Sequence, residues 1–131
     1  MKTTNHVNTF IAVARDCRAF SGEVPPSRTP PTVARLEYEM LIRKPYVYTS
    51  DDVLYAVNGA RRGVVRAQFF AKAQPDFRLS PLSQRYGWGV HNDADGRIAL
   101  YAVDSVEYEM FVRDASLRQL TAYSAKRRTS L

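Results

Sequence analysis

The sequence predicts an α+β fold, a single small domain with a central antiparallel, hairpin-based sheet packed by three to four helices. Two observations carry that expectation. Residues 88–103 alternate about an Asp-Ala-Asp-Gly turn as a β-hairpin does, and residues 32–44 and 105–114 place apolar side chains at helical spacing between start and stop signals. A length of 131 residues suits one domain, 1–131, and lets it bury roughly two-thirds of its unfolded surface.

Residues 8–14 are short, apolar and rich in Thr, Phe, Ile and Val, which predicts a buried strand. Residues 16–31 contain Gly22, Pro25, Pro26, Pro30 and Pro31 with no periodicity, and read as a long Pro-containing loop that wraps the domain. Over 32–44, Val33, Leu36, Met40 and Leu41 form a helical stripe that starts after two prolines and ends at Pro45. Thr49 and Asp52 have capping-box spacing, and Val53, Leu54, Val57 and Ala60 continue a helix over 51–62 that Gly63 stops. A third helix is expected over 64–73, burying Val65, Phe69 and Phe70. Ser80-Pro81 pairs an N-cap with a first-position proline ahead of Leu82.

Two hairpin registers compete. A loop over 93–96 pairs His91 with Ile98 and Gly89 with Leu100, which mixes polar and apolar side chains on each face. A three-residue loop over 94–96 pairs Val90 with Leu100 and Trp88 with Ala102, gathers the apolar side chains on one face, and puts Gly96 at the left-handed position of a bulged turn. The three-residue loop is therefore expected. The opposite face then carries Gly87, Gly89 and His91 against Arg97, Ala99, Tyr101 and Val103, with Tyr101 covering Gly89. Asp104 and Glu107 have capping-box spacing for a helix from Ser105 that turns Val106, Met110 and Phe111 inward. Residues 116–124 read as a short strand or a helix, and 124–131 as a flexible basic tail.

Residues 36–44 and 106–114 share five identities in nine, but their flanks differ. The match reads as coincidence between two amphipathic helices rather than duplication.

The net charge is +6 and is unevenly spread. Between Arg61 and His91 stand Arg61, Arg62, Arg66, Lys72, Arg78 and Arg85 against Asp76 alone. Such a surface favours an anionic small molecule or an acidic protein surface as partner. No run approaches the ~18 apolar residues of a membrane span, the amino terminus lacks a signal-peptide core, and a single cysteine, Cys17, excludes an internal disulfide and suits a reducing compartment. A cytoplasmic location is the expectation.

No catalytic residue, metal set or cofactor is assigned. Asp93, Asp95 and Gly96 resemble the middle of a calcium loop, but His91 and Ala102 stand where its end carboxylates belong. The stretch 61–66 lacks the glycine pattern and the Lys-Ser/Thr ending of a phosphate-binding loop. Phe77, Tyr86 and Trp88 interleave with arginines, a mixture that also suits weak nucleic-acid binding. The leading expectation is a non-enzymatic binding or interaction domain whose ligand-facing residues are Arg85, His91, Arg97 and Tyr101, gathered by the hairpin register and the basic window. The alternative is a small-molecule enzyme that uses a pocket centred on His91.

The segments NTFIAVARDC, GEVPP, PYVYTSDDVL, FFAKAQPDFRLSPLSQRYGWGVHNDADGRIALYAV and SVEY together resemble a family of short, mostly bacterial proteins of unknown function. The resemblance covers nearly the whole chain and implies a single-domain cytosolic protein without implying an activity. The sequence departs from what the resemblance implies at Ala73 and Asp76, where a glycine and a cysteine are expected, and in a short 58–66 linker.

Overall fold

A computed structural model describes residues 2–126. One mixed sheet of four strands organises them, in the order β3-β2-β1-β4, from β1 (Thr9–Ala12), β2 (Trp88–Asn92), β3 (Ile98–Ala102) and β4 (Arg118–Thr121). Five α-helices accompany it: α1 (Val33–Leu41), α2 (Ser50–Leu54), α3 (Arg66–Phe69), α4 (Pro81–Gln84) and α5 (Val106–Val112). The fold is α+β.

The hairpin has the three-residue register. Trp88 pairs with Ala102, Val90 with Leu100 and Asn92 with Ile98, and Gly96 takes φ +77. That angle suits a residue without Cβ. Asp93 fixes the turn, its backbone N–H donating to the Arg97 carbonyl and its side chain accepting from the Asp95 and Arg97 backbone N–H groups. β1 adds antiparallel to β2, while β4 lies parallel to β1. The sheet is thus mixed rather than wholly antiparallel. Because α5 carries the chain back across one face, the strand after it runs in the same direction as β3, which is also the direction of β1.

The two faces are covered unequally. On one, Ile11, Val90 and Ile98 pack with Leu41, Val53, Leu54 and Phe77, and Trp88 packs with Ala34 and Leu82. Most of the helical chain lies there. On the other, α5 lays Tyr108 and Phe111 over Phe10, with ring centroids 5.1 and 5.4 Å away, and Tyr46 reaches the same face. Tyr38 and Tyr108 hold equivalent places in the two similar stretches, yet Tyr38 packs on Trp88 and Tyr108 against Gly89, on opposite faces of β2. A Cβ on Gly89 would come within 2.6 Å of Phe10 and 2.7 Å of Tyr108. These two rings, rather than Tyr101, cover that glycine.

Several helices differ from expectation. In α1 the buried residues are Ala34, Glu37 and Leu41, a stripe turned toward a carboxylate that apolar periodicity cannot reveal. The helix over 51–62 changes pitch twice. After the Thr49–Asp52 capping box, α2 widens into a π-helical turn, Tyr55–Gly59, and tightens into a 3-10 turn, Ala60–Arg62, before Gly63 stops it at φ +72. The helix expected over 64–73 is the single turn α3, because burying the adjacent Phe69 and Phe70 bends the chain out of it, and Val65 is left exposed.

Ser105, not Asp104, caps α5 by accepting from the Tyr108 N–H. Asp104 instead accepts from the Gly22 N–H and ties down the loop. The inward face of α5 is Tyr108 and Phe111, whereas Val106 and Met110 are 73% and 65% exposed. Residues 116–124 contain strand β4. Residues 13–32 form neither helix nor strand. Of the expected basic tail, Ser124 and Lys126 hydrogen-bond Asp16, and 127–131 lie outside the described residues. Among the described residues no helix is long and apolar enough to cross a membrane.

Candidate functional site

The hairpin brings two of the four expected ligand-facing residues together. Tyr46 Oη hydrogen-bonds both His91 Nδ1 and Tyr101 Oη, each at 2.8 Å. His91 stacks on Phe111 with centroids 4.2 Å apart, and burial lowers its pKa against the opposing charges of Asp93 and Asp114. Tyr46 is reached after Pro45 through a left-handed backbone at φ +60, uncommon for a bulky residue, and burial with the Tyr101 bond pushes its phenol well above the ordinary value. Arg97 lies at the turn end of the hairpin and donates to the Val47 carbonyl at 2.8 Å. Arg85 is elsewhere, at the end of α4, in a cleft it shares with Asp16, Arg18, Gln84 and Lys126. The four residues are therefore not one constellation.

A better-formed site lies on the helical side. A cavity of about 630 Å³ opens between α1, the π-helical turn and the segment leading into α4. Its volume falls in the ordinary range for a metabolite-sized ligand. Val33, Leu54, Val57, Phe69, Leu79 and Pro81 give it apolar walls. The wide turn places Val57 and Asn58 in the wall and carries Arg61 and Arg62 to the rim. A π turn inside a helical run often marks a functional segment.

Glu37 is the distinctive group. It lines this cavity and yet is only 1% exposed. Ser80 Oγ donates to its Oε1 at 2.7 Å, while the same Oγ accepts from the Leu82 N–H at the start of α4. Ser80 is thereby held as a donor. No buried side-chain polar atom among the described residues lacks a partner, so Oε2, which has none, keeps its contact with the cavity. Burial pushes the Glu37 carboxyl up to about 7, and the Ser80 hydrogen bond only partly opposes it. A carboxyl so placed either holds a proton or accepts from a donor in the cavity.

The rim is positive. Arg61 donates to the Pro31 carbonyl and Arg62 to the Asn58 carbonyl, and among the described residues neither meets a carboxylate. Asp76 stands in the wall, but His6 at 3.0 Å and Arg78 at 2.9 Å occupy it. Burial acts to raise its pKa, and those two hydrogen bonds overcome it, holding the group well below the usual carboxylate range. Asp76 thus belongs to a clasp on the amino-terminal segment, with its charge already balanced.

Sequence reasoning missed Glu37, Asn58 and Ser80 as site residues. Ser80 was legible as a cap, and Arg61 and Arg62 as part of the basic window, but nothing in a run of alternating Glu and Tyr marks Glu37 as the buried one. Among the described residues no group of three or more His, Cys, Asp or Glu side chains is arranged to hold a metal ion.

A family model described as "Family of unknown function (DUF6157)" matches residues 1–128. No match is found among curated proteins or among solved structures.

Proposed function

Because the chain belongs to this family of unknown function, which brings no activity with it, we propose from the cavity itself that the protein is a non-enzymatic small-molecule binding domain and that its ligand is an organic anion. One observation carries the reading. Glu37, buried and with no hydrogen bond to its Oε2 among the described residues, lines a cavity of about 630 Å³ at whose rim Arg61 and Arg62 meet no carboxylate among those residues. Apolar walls take the body of the ligand, and the planar forks of Arg61 and Arg62 suit a carboxylate or phosphate at the mouth. A reducing, cytosolic setting belongs to the same proposal and is supported by the lone Cys17.

Calorimetric titration with alkanoates and monoalkyl phosphates tests the reading. The wild-type chain binds them, the Arg61→Ala/Arg62→Ala double variant loses about tenfold or more in affinity, as expected for a charge-assisted contact worth roughly 1.5–3 kcal/mol, and Leu79→Trp closes the cavity from a half-exposed wall position without entering the core. Unchanged binding in both variants would move the site elsewhere. The first alternative is then the cluster of His91, Tyr46 and Tyr101, with Arg97 nearby and Arg85 as a separate anion contact.

A further inference from the structure

We infer that the ligand carries a hydrogen-bond donor, a hydroxyl or an amino group, at the end remote from its acid group, and that Glu37 is the residue that selects for it. The inference rests on the reading of the cavity as an organic-anion site and names what that site discriminates.

The hydrogen-bond arithmetic at Glu37 leads to it. Ser80 Oγ receives the Leu82 N–H and gives its one proton to Glu37 Oε1. Oε1 is therefore committed as an acceptor, with a donor held to it by the start of α4. Oε2 is the remaining functional atom, and among the described residues it has no hydrogen-bond partner. The neighbouring walls are Val33, Leu54 and Val57, which have no side-chain polar atoms. Asn58 and Gln74 also line the cavity, and Gln74 donates to the Phe69 carbonyl, but among the described residues neither amide hydrogen-bonds Oε2.

A deeply buried carboxyl with one satisfied and one open oxygen is poorly matched to an apolar ligand end, which strips Oε2 of any hydration without replacing it. It is equally poorly matched to a second anion. It is well matched to a hydroxyl, which donates one hydrogen bond to it, and better still to an ammonium, which also neutralises its charge. With the Glu37 pKa raised to about 7, the cavity is able to take up an ammonium close to neutral pH, releasing the carboxyl proton as it arrives. A hydroxyl instead donates to the carboxylate or accepts from the protonated Oε2, without proton release. The opposite charges are divided in space. Arg61 and Arg62 are exposed at the rim and Glu37 is buried at the base, so a ligand with an acid group at one end and a donor at the other satisfies both together, with its apolar middle against Val57 and Phe69.

The test compares matched probes. Butyrate, hexanoate and octanoate, the corresponding monoalkyl phosphates, and the ω-hydroxy and ω-amino derivatives of each are titrated into the full-length protein. The expected result is that the derivatives of fitting length bind at least about tenfold tighter than their unsubstituted parents. Arg61→Ala/Arg62→Ala weakens parent and derivative alike. Glu37→Met abolishes the advantage of both derivatives. Should Glu37→Met fail to give a folded chain by circular dichroism, Glu37→Gln, which keeps shape and an acceptor but no charge, must still lose the extra advantage of the amino over the hydroxy derivative. Equal affinity of parents and derivatives in the wild-type protein, an advantage of the derivatives that survives at Glu37→Met, or an amino-over-hydroxy advantage that survives at Glu37→Gln, overturns this inference and leaves the anion-binding reading standing. Failure of every probe to bind the wild-type protein overturns both.

Discussion

Ser80 gives its hydroxyl proton to Glu37 across 43 residues of sequence, at 2.7 Å and out of contact with bulk water. The bond joins the first residue before α4 to the middle of α1, and it leaves the carboxyl only half satisfied. A proton bound to Glu37 therefore favours the folded chain, since the folded pKa is raised from 4.5 to about 7. Stability falls as pH rises from the unfolded value toward the folded one and stays low above it. Glu37→Gln removes this loss. The variant is expected to gain on wild type by on the order of 2–3 kcal/mol between about pH 4.5 and pH 8, read from urea midpoints. A difference that stays flat over that range would mean that the carboxyl is hydrated rather than buried.

The two hairpin glycines separate backbone from packing. Gly96 has φ +77, and a Cβ there would meet only ordinary van der Waals contacts, the nearest being the His6 carbonyl oxygen at 3.5 Å. Gly96→Ala therefore bears only the left-handed penalty of about 1–2 kcal/mol. Gly89→Ala drives a methyl to 2.6 Å from Phe10 and 2.7 Å from Tyr108, two buried rings with no free direction. That overpacking costs about 1–3 kcal/mol or more, and Gly89→Ala is expected to be the worse of the two in thermal unfolding. The reverse order would mean that α5 sits loosely on its face of the sheet.

How far the sequence speaks depends on whether the deciding physics is local. The hairpin register was legible because a one-residue slip turns every side chain over and only one register gathers Trp88, Val90, Ile98 and Leu100. The caps at Thr49 and Ser80 were legible for a similar reason, since an N-cap depends on three or four adjacent residues. What was not legible is which face of a short helix is buried. Val106 and Met110 have the spacing of a core stripe, but α5 rests on the sheet through Tyr108 and Phe111, a choice made by the bare Cα of Gly89 and by Phe10 from the other end of the chain. Glu37 is the same problem in polar form. Its burial depends on Ser80, and no periodicity links positions 37 and 80. Arg85 was grouped with His91 through the basic window, yet the turn between α4 and β2 separates them.

The rotated face of α5 can be measured. Val106→Ser and Met110→Gln alter side chains that are mostly in water, and each is expected to change stability by less than about 0.5 kcal/mol. Phe111→Ala removes a ring stacked on Phe10 and His91 and tilted against Tyr101. Because Phe111 is only half-buried, the expected loss lies somewhat below the ~3–5 kcal/mol of a fully buried phenylalanine. Large effects at Val106 or Met110 with a small one at Phe111 would restore the apolar stripe that periodicity predicts.

His91 offers a second view of the same packing. Its ring is sandwiched against Phe111 and edged by Tyr46, and burial outweighs the pull of Asp93 and Asp114 to hold its pKa below 6.5. The unfolded chain thus binds this proton more readily than the folded one. The stability that neutral His91 contributes is complete above about pH 6.5 and is lost as pH falls through the folded pKa. The hydrogen-bonded chain does not itself oppose protonation. In the Nε2–H tautomer a neutral Nδ1 accepts from the Tyr46 hydroxyl, and a protonated Nδ1 donates to it while Tyr46 turns its proton toward Tyr101, so the Tyr46 bond is kept in either state. Burial alone therefore carries the shift. Phe111→Ala, which uncovers the ring and leaves Tyr46 in place, is expected to raise the His91 pKa back toward 6.5, whereas Tyr46→Phe leaves the stacked ring covered and the pKa still depressed. Proton NMR titration of the ring Cε1–H, assigned against His6 with a His91→Gln variant, reads both. A wild-type His91 that titrates at or above 6.5 would show that α5 does not shield this face.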